Sequence, residues 1–378
     1  MKVIIYRILL IIVSLATGSV LFIAVLFAGD QSKGPLEDLF AKLNSFVSGF
    51  EKDIISSEND RANTLSWFKR YRDNVSLLNA PDTVFFGVFD DKTVNSYKTV
   101  VNLEDSLGFQ LPLIQIYTAW GSKTDQNFPL LRAQAIYDLG SVPLITWEPW
   151  LDDFDPDEFP FVNKENNVNE GGLKAIADGL FDVYIDEWIE DARTFRHPFF
   201  LRFGHEMNDP YRYPWGPQNN SPEDFILAWK HLVHRFDSLG ANNAIWVWSP
   251  HPAYPYFEYF PTGSVDWVGI TALNYGTVAP WSQWWTFDDI FGKCYQQISP
   301  LNLPFMITEF SSLGVGGNRA EWYRQAIESI PLKYPLVHSV VFFHAENDNT
   351  TTYKSLDWTI KNDREVLDAI NTGLKSWK

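Results

Sequence analysis

The chain is poor in cysteine and in positive charge. Of its 378 residues one is a cysteine, Cys294, which excludes an intrachain disulfide and any metal site made of several thiolates. We expect Cys294 to be a small buried residue. Aspartate and glutamate number 47 against 30 lysines and arginines, so the formal net charge is −17. This balance argues against nucleic acid as a partner, because phosphate binding needs a basic footprint, and it suits a neutral ligand.

The sequence also lacks two motifs of common enzyme classes. No glycine-rich phosphate loop follows the first apolar run, where residues 90–95 read DDKTVN. His205 and Glu206 do not begin the His-Glu-x-x-His motif of zinc peptidases, because the fifth residue is Asp209. These absences argue against a dinucleotide-binding sheet and against a zinc peptidase. The sequence gives no sign of an obligatory metal or cofactor.

The amino terminus carries a long apolar run, from Ile8 to Ala28, which Lys2 and Arg7 precede. Its 21 residues are close to the roughly 20 that a helix needs to cross a bilayer. We predict that residues 1–29 are a membrane anchor whose positive end stays in the cytoplasm, which places the rest of the chain in the cell envelope, outside the cytoplasm. A cleaved signal segment followed by secretion is the alternative.

Short apolar runs recur along the remainder of the chain, with helical segments between them. They follow a stalk or lead-in at residues 30–80, in which residues 35–56 have helical spacing. Apolar strands that alternate with helices predict a parallel sheet covered on both faces. We therefore predict that residues 81–378 form a (β/α)8 barrel, with a doubly wound open sheet as the alternative. The eight runs are 83–90, 111–120, 142–150, 198–209, 244–251, 265–275, 304–310 and 337–347.

Two of the intervening segments carry clear helical patterns. Residues 221–240 begin with Ser221 as a candidate N-cap and Pro222 in the first helical position, and they end at Gly240. Residues 318–330 form the second predicted helix.

Polar and aromatic residues stand at the carboxyl end of almost every run. In a (β/α)8 barrel those ends converge on one face, where the active site lies. The 16 tryptophans and 16 tyrosines exceed what packing requires, and such rings often stack on sugars. We therefore expect Trp147 and Trp248 to line a cleft on this face. Trp281, Trp284 and Trp285 follow the sixth run and predict a long polymer held across several subsites.

Two of the strand-end residues are glutamates. Glu206 ends the fourth run and Glu309 ends the seventh, and these strands lie across the mouth of a closed barrel from one another. A charge at the end of a buried strand must be paired or functional. Two opposed carboxylates are what retaining glycoside hydrolysis needs, so Glu206 and Glu309 are the candidate catalytic residues.

The residues around Glu206 form a longer motif. Residues 202–208 read RFGHEMN and residues 213–216 read YPWG, which resembles the R-x-x-H-E-M-N…W-G signature of glycoside hydrolase family 26. ITEF at 307–310 is similar to the nucleophile strand of that family. The resemblance covers roughly residues 83–378. It implies a (β/α)8 retaining glycosidase that acts on β-mannan or a related β-linked polysaccharide.

The resemblance also implies roles for single residues. Glu206 would be the general acid/base and Glu309 the nucleophile, which requires environments that push their pKa values apart. Arg202 would lie beneath the two carboxylates and lower a neighbouring pKa, or would be a structural counter-ion. Tyr275 would orient Glu309 through a hydrogen bond. The further substrate-binding residues that the resemblance implies are His205, Asn208 and Trp215.

The sequence departs from the family pattern at two places. Asp209 stands where the family usually has glycine, and Phe343 and His344 end the eighth run where related barrel glycosidases often have tryptophan. Both departures bear on which sugar is bound, and much less on whether the chain has glycosidase chemistry. Two alternatives stay open: a membrane-anchored hydrolase or transglycosylase that trims an envelope exopolysaccharide, and a catalytically weak carbohydrate-binding barrel.

Overall fold

A computed structural model describes residues 61–94, 96–162, 167–349 and 355–377. The predicted anchor at residues 1–29 and the predicted helix at 35–56 lie outside these ranges and stay predictions, as does the domain division at residue 81. Within the described ranges no helix is both long and apolar enough to cross a membrane.

Eight parallel strands form a closed barrel in which each strand pairs with the next and the eighth pairs with the first. This order confirms the predicted (β/α)8 barrel, and the alternative of an open sheet is wrong. The strands are β1 (Phe85–Asp90), β2 (Leu113–Ala119), β3 (Val142–Glu148), β4 (Phe199–Phe203), β5 (Ala244–Trp248), β6 (Trp267–Asn274), β7 (Phe305–Ser312) and β8 (Val337–His344).

Helices precede, connect and follow the strands. Ser221 caps the helix Pro222–Ser238 by accepting a hydrogen bond from the Asp224 N–H at 3.2 Å, and Gly240 just beyond the end of this helix has a φ of 72°, as the sequence predicts. The helices are α1 (Arg61–Thr64), α2 (Lys69–Arg72), α3 (Val75–Asn79), α4 (Lys98–Leu107), α5 (Leu130–Asp138), α6 (Gly172–Ala177), α7 (Asp182–Phe195), α8 (Pro222–Ser238), α9 (Lys293–Ile298), α10 (Arg319–Lys333) and α11 (Arg364–Leu374).

The amino-terminal end of the barrel is filled by apolar side chains. Phe68 and Tyr71, from the segment before β1, pack against Phe85 with ring centroids 5.2 and 5.0 Å apart. They belong to one buried cluster with interior residues of the strands such as Phe200 and Met306. Residues 65–78 therefore cover this end of the barrel, and the opposite end is where the strands present polar side chains.

The two tryptophans predicted to line the cleft lie instead on the outer face of the barrel. Trp147 is fully buried and stacks on Trp188 of α7, with ring centroids 4.2 Å apart. Trp248 is also fully buried in the core between strands and helices. Side chains alternate along a strand, and the neighbouring Glu148 and Ser249 face the interior. The expectation that Trp147 and Trp248 bind substrate is therefore wrong.

The upper half of the barrel interior is polar. Gln115, Thr146, Arg202 and Thr271 come from four strands, Ser249 directly follows β5, and all five are buried. They lie below the carboxyl ends of the strands, so they form a hydrogen-bonding platform under the candidate site. Each such buried polar group must find a partner, which fixes the side chains above it.

Candidate active site

Glu309 lies on β7 and is held by two donors. The pairing of β6 with β7 shifts register at Ile270, and this irregularity sets Glu309 opposite Thr271. The Arg202 guanidinium donates from Nη1 to Oε1 of Glu309 at 2.8 Å, and the Tyr117 hydroxyl donates to the same oxygen at 2.8 Å. Glu309 is only 7% exposed, so the structure fixes a carboxylate in one orientation at the mouth of the barrel.

Arg202 occupies the place beneath the carboxylates that the sequence predicts. It has no exposed surface, and its Nε donates to the Ser249 hydroxyl at 3.0 Å. Burial disfavours the charged guanidinium and is the largest single effect, but Glu309, Tyr117 and Glu206 together outweigh it, and the pKa of Arg202 is raised. Arg202 is thus a permanently charged counter-ion of Glu309 with no face open to a ligand.

Glu206 lies in the turn that follows β4. Its backbone has a φ of 53°, in the left-handed region, which costs a residue other than glycine about 1 kcal/mol. The backbone N–H of Glu206 donates to the Ser249 carbonyl at 2.7 Å, which fixes the turn against the end of β5. The carboxylate is 1% exposed. Strain of this kind persists only where the surroundings fix the conformation, as they do at many functional sites.

The partner of Glu206 is Arg212, which the sequence analysis did not single out. Arg212 Nη1 donates to Oε2 of Glu206 at 3.0 Å. Burial alone would raise the pKa of Glu206, but Arg212, together with His251 and His205, holds that pKa well below its usual range. A resting proton donor needs the opposite shift. In the free protein Glu206 is therefore ionised, contrary to the expectation that its surroundings keep it protonated.

His205, Tyr213 and Trp215 form one wall beside the carboxylates. His205 Nε2 lies 3.0 Å from the Tyr213 hydroxyl, and the Trp215 indole N–H donates to the His205 carbonyl at 2.8 Å. Trp215 stacks on Tyr213 with an interplanar angle of 10°. His205 and Trp215 are nearly fully buried, and burial lowers the pKa of His205. They contact and support the site, and Tyr213 presents the more open ring.

A third carboxylate, Glu148 at the end of β3, faces the same interior. The Trp150 indole N–H donates to it at 3.3 Å, and its Oε1 lies 3.9 Å from Nδ1 of His205. Burial raises the pKa of Glu148 to about 7. Glu148 lies in the third predicted run, 142–150, but the sequence does not reveal its raised pKa, since that depends on burial by neighbours from other strands.

Asn208, which the sequence predicts to bind substrate, instead forms hydrogen bonds with backbone groups of the protein. Its Nδ2 donates to the carbonyls of His251 and Tyr254 at 2.9 and 3.2 Å, and its Oδ1 accepts from the His251 N–H at 2.7 Å. The side chain is 2% exposed. Asn208 therefore ties the turn that carries Glu206 to the loop after β5, and the expected sugar contact is corrected to this positioning role.

The family model for glycosyl hydrolase family 26 matches residues 161–366. The chain belongs to glycosyl hydrolase family 26. Endoglucanase H of Acetivibrio thermocellus is 32% identical over 288 residues, which are 73% of this chain and 29% of that protein. The chain thus spans less than a third of the length of this curated relative.

Solved structures show the same barrel fold at low identity. GH26C from Muricauda sp. superposes with a TM-score of 0.57 at 16% identity, covering 83% of this chain and 89% of that one. A family 26 β-mannanase from Bacteroides ovatus superposes with a TM-score of 0.55 at 15% identity, covering 78% and 89%. At such identity these likenesses show the fold.

The structure explains one departure from the family pattern, at the end of β8. Phe343 faces the barrel mouth and stacks on Phe89 with centroids 5.2 Å apart. His344 points the other way, is buried, and lies with Nδ1 2.8 Å from Oδ2 of Asp90. Phe343 thus takes the inward position at this strand end, and His344 has a structural role between β8 and β1.

Tyr275 lies just after β6, among the aromatic residues of the cleft edge. Its ring packs edge-on against Trp281 and Trp358, with centroids 5.2 and 5.0 Å apart. The tyrosine hydroxyl that donates to Glu309 is that of Tyr117, where the sequence predicted Tyr275. Trp281 is 55% exposed, so it offers the open stacking surface predicted for the loop after β6.

Three side chains beside the site come close to the spacing of a metal centre. Ligand atoms of Glu206, Asp209 and His251 lie within 4.8 Å of one another. The guanidinium of Arg212 already pairs with the Glu206 carboxylate at 3.0 Å, and we assign no metal to these residues.

Proposed function

We propose that the chain is a retaining glycoside hydrolase that cleaves a β-linked polysaccharide by double displacement. In this proposal Glu309 is the nucleophile and Glu206 is the general acid/base. The observation that carries it is that both carboxylates are buried and each is held by an arginine: Arg202 donates to Glu309 at 2.8 Å and Arg212 donates to Glu206 at 3.0 Å. Two oriented carboxylates at the mouth of one barrel are what the reaction requires.

The first displacement needs an ionised, oriented nucleophile. Arg202 and Tyr117 both donate to Oε1 of Glu309, and among the described residues no donor is assigned to Oε2. Oε2 is therefore the oxygen available to attack the anomeric carbon. The fixed positive charge of Arg202 stabilises the carboxylate both before attack and when it leaves in the second displacement.

Glu206 has to act twice. It gives a proton to the leaving oxygen in the first displacement, and as a carboxylate it takes a proton from the attacking water in the second. The ion pair with Arg212 suits the second role. The first role requires that Arg212 stop neutralising Glu206 before or during substrate binding.

A polymeric β-glycan is the substrate class that we propose. The related protein from A. thermocellus is named an endoglucanase, and the related structure from B. ovatus is a β-mannanase. The exposed Trp281 and the partly exposed Trp150 lie on opposite sides of the site, after β6 and β3, which supports binding of several sugars in a row. If the predicted anchor at residues 1–29 exists, the polymer would be met in the cell envelope.

The test is hydrolysis of β-mannan, glucomannan, mixed-linkage β-glucan and β-1,3-xylan by the full-length chain in detergent. Glu206→Ala and Glu309→Ala are compared with Glu190→Ala, which changes an exposed carboxylate on α7 that pairs with Arg193. We expect one polymer to be cleaved with retention of the anomeric configuration by NMR. Both site variants should lose at least a thousandfold in kcat/KM, and Glu190→Ala should lose nothing.

Azide separates the roles of the two glutamates. An external anion can replace the base in the second displacement, so with an aryl β-glycoside, whose phenolate leaves without being protonated, azide should restore turnover of Glu206→Ala and give a β-glycosyl azide. With Glu309→Ala it should give the α-azide. Full activity in both alanine variants would refute the proposal. Polymer binding without hydrolysis by the unmodified chain would favour the carbohydrate-binding alternative.

A further inference from the structure

Arg212 differs from Arg202 in its exposure and in the number of hydrogen bonds that it donates. A guanidinium carries five N–H donors, and within the described part of the chain the only hydrogen bond that Arg212 donates goes to Glu206. The side chain is 24% exposed, and the guanidinium lies 5.1 Å from the ring centroid of Tyr213. Arg202 has no exposed surface and is enclosed by strand residues. Arg212 is therefore a cation that a bound sugar can reach.

The position of Arg212 next to Glu206 specifies which sugar it meets. The general acid of a glycosidase contacts the glycosidic oxygen, and beyond that oxygen lies the sugar of the leaving group. A planar guanidinium with free donors beside the acid suits a carboxylate, which it binds through two parallel hydrogen bonds. Neutral hydroxyl groups would use the same donors without neutralising the charge.

The charges around Glu206 lead to the same ligand class. Burial raises the pKa of Glu206, and Arg212, its hydrogen-bond partner at 3.0 Å, is the largest of the groups that lower it and favour the ionised form. A neutral sugar leaves this balance in place, so only a small fraction of Glu206 carries the proton and cleavage is slow. An acidic sugar that pairs with Arg212 removes the main counter-ion of Glu206, so that Glu206 can take up a proton and act as the acid.

We propose that the substrate carries a carboxylate on the leaving-group sugar and that Arg212 binds it, releasing Glu206 to become protonated. This inference rests on the proposed function and names its substrate as an acidic β-glycan. One counter-ion of Arg212 replaces another, and Glu206 gains one proton for each carboxylate bound. The negative charge of the bound carboxylate is cancelled by the proton that Glu206 takes up, so the net charge of the cluster does not change. The site can therefore admit an anion although the whole chain is acidic.

The net charge of −17 limits what kind of acidic polymer fits. A densely charged polyanion would meet long-range repulsion, which salt screens only beyond about 8–10 Å. A chain that is mostly neutral, with uronic acid units spaced along it, brings one carboxylate to Arg212 and neutral sugars to the aromatic residues of the other subsites.

The experiment uses β-mannan and mixed-linkage β-glucan as matched pairs. Each is tested as the parent polymer and after partial oxidation of its C6 hydroxymethyl groups to carboxylates, with a portion of the oxidised polymer reduced back as a control. We expect one oxidised polymer to be cleaved with a kcat/KM about tenfold to a hundredfold above that of its parent. Mass spectrometry of the products should find the carboxylate enriched on the sugar at the newly formed non-reducing end.

Variants connect this preference to the arginine. Arg212→Gln should abolish the preference for the oxidised polymer, while Arg193→Gln, an exposed arginine of α7, should keep it. Arg212→Lys should keep part of it, because a lysine retains the charge without the bidentate geometry. An unchanged preference in Arg212→Gln, or equal cleavage of oxidised and parent polymers by the unmodified chain, would overturn the inference and leave the proposed function intact.

A binding measurement separates the inference from the hydrolysis. Calorimetry of Glu309→Gln with C6-oxidised oligosaccharides, in buffers of different ionisation enthalpy at mildly acidic pH, should show uptake of about one proton per carboxylate bound. The uptake should vanish when Glu206→Gln is added and should be absent with the neutral oligosaccharides. Proton-linked binding without cleavage by the unmodified chain would sink the proposed function only, whereas binding without proton uptake would sink the inference.

Discussion

The ion pair between Arg202 and Glu309 gives a quantitative prediction that does not depend on activity. The charged groups approach to 2.8 Å, Arg202 has no exposed surface and Glu309 is 7% exposed. With charge centres about 4 Å apart and an effective dielectric constant of about 20, their attraction is about 4 kcal/mol. Removal of one partner leaves a buried charge without its counter-ion, so Arg202→Met should lower the free energy of unfolding by about 3–5 kcal/mol.

Glu309→Gln should cost less, because the glutamine carbonyl can still accept from Arg202. The double variant should lose at least about 2 kcal/mol less than the sum of the two single variants, since neither charge is left alone. Urea denaturation followed by tryptophan fluorescence measures all four free energies. The exposed pair Glu190–Arg193 is the control, with an expected coupling below about 1 kcal/mol. Additive losses at Arg202 and Glu309 would refute the reasoning.

Three further predictions test other parts of the site. Burial raises the pKa of Glu148 to about 7, so the folded chain loses stability as pH rises from about 4 to 7. Because the side chain is 16% exposed, we expect Glu148→Gln to be about 1–2 kcal/mol more stable than the unmodified chain above pH 7 and equal to it below pH 4. Thermal unfolding across this pH range measures the difference. Tyr117→Phe should lower kcat/KM about tenfold to a hundredfold, since it removes a hydrogen bond to the charged Glu309, while its ring contacts and the melting temperature are kept. Trp248→Phe should lower the melting temperature without changing KM for the cleaved polymer. Trp281→Ala should raise KM for that polymer without changing the melting temperature.

The barrel could be predicted because its signals are local. Each strand is a short apolar run that begins within two residues of its predicted start, and helices with recognisable caps separate them. Eight such units leave few arrangements other than a closed barrel. The same reasoning placed Glu206 and Glu309 at one end of the barrel, because the carboxyl ends of parallel strands lie on one face.

Arg212 could not be predicted in the same way. It lies nine residues after the end of β4, in a turn whose course depends on the left-handed conformations of Gly204 and Glu206. Neither the hydrophobic pattern nor the family motif specifies where a side chain in such a turn points. The ionised state of Glu206 depends on the direction of the Arg212 side chain. The sequence therefore identifies Glu206 as a catalytic candidate but does not predict its protonation state.

The errors at Trp147 and Trp248 have a different cause, which is the alternation of side chains along a strand. One interior residue fixes the face of every other residue in its strand. Glu148 faces the interior, so Trp147 faces the helices; Ser249 accepts a hydrogen bond from Arg202 in the interior, so Trp248 faces outward. A polar residue that ends an apolar strand thus marks the interior face, and its immediate neighbours belong to the core, however well their side chains would suit a sugar.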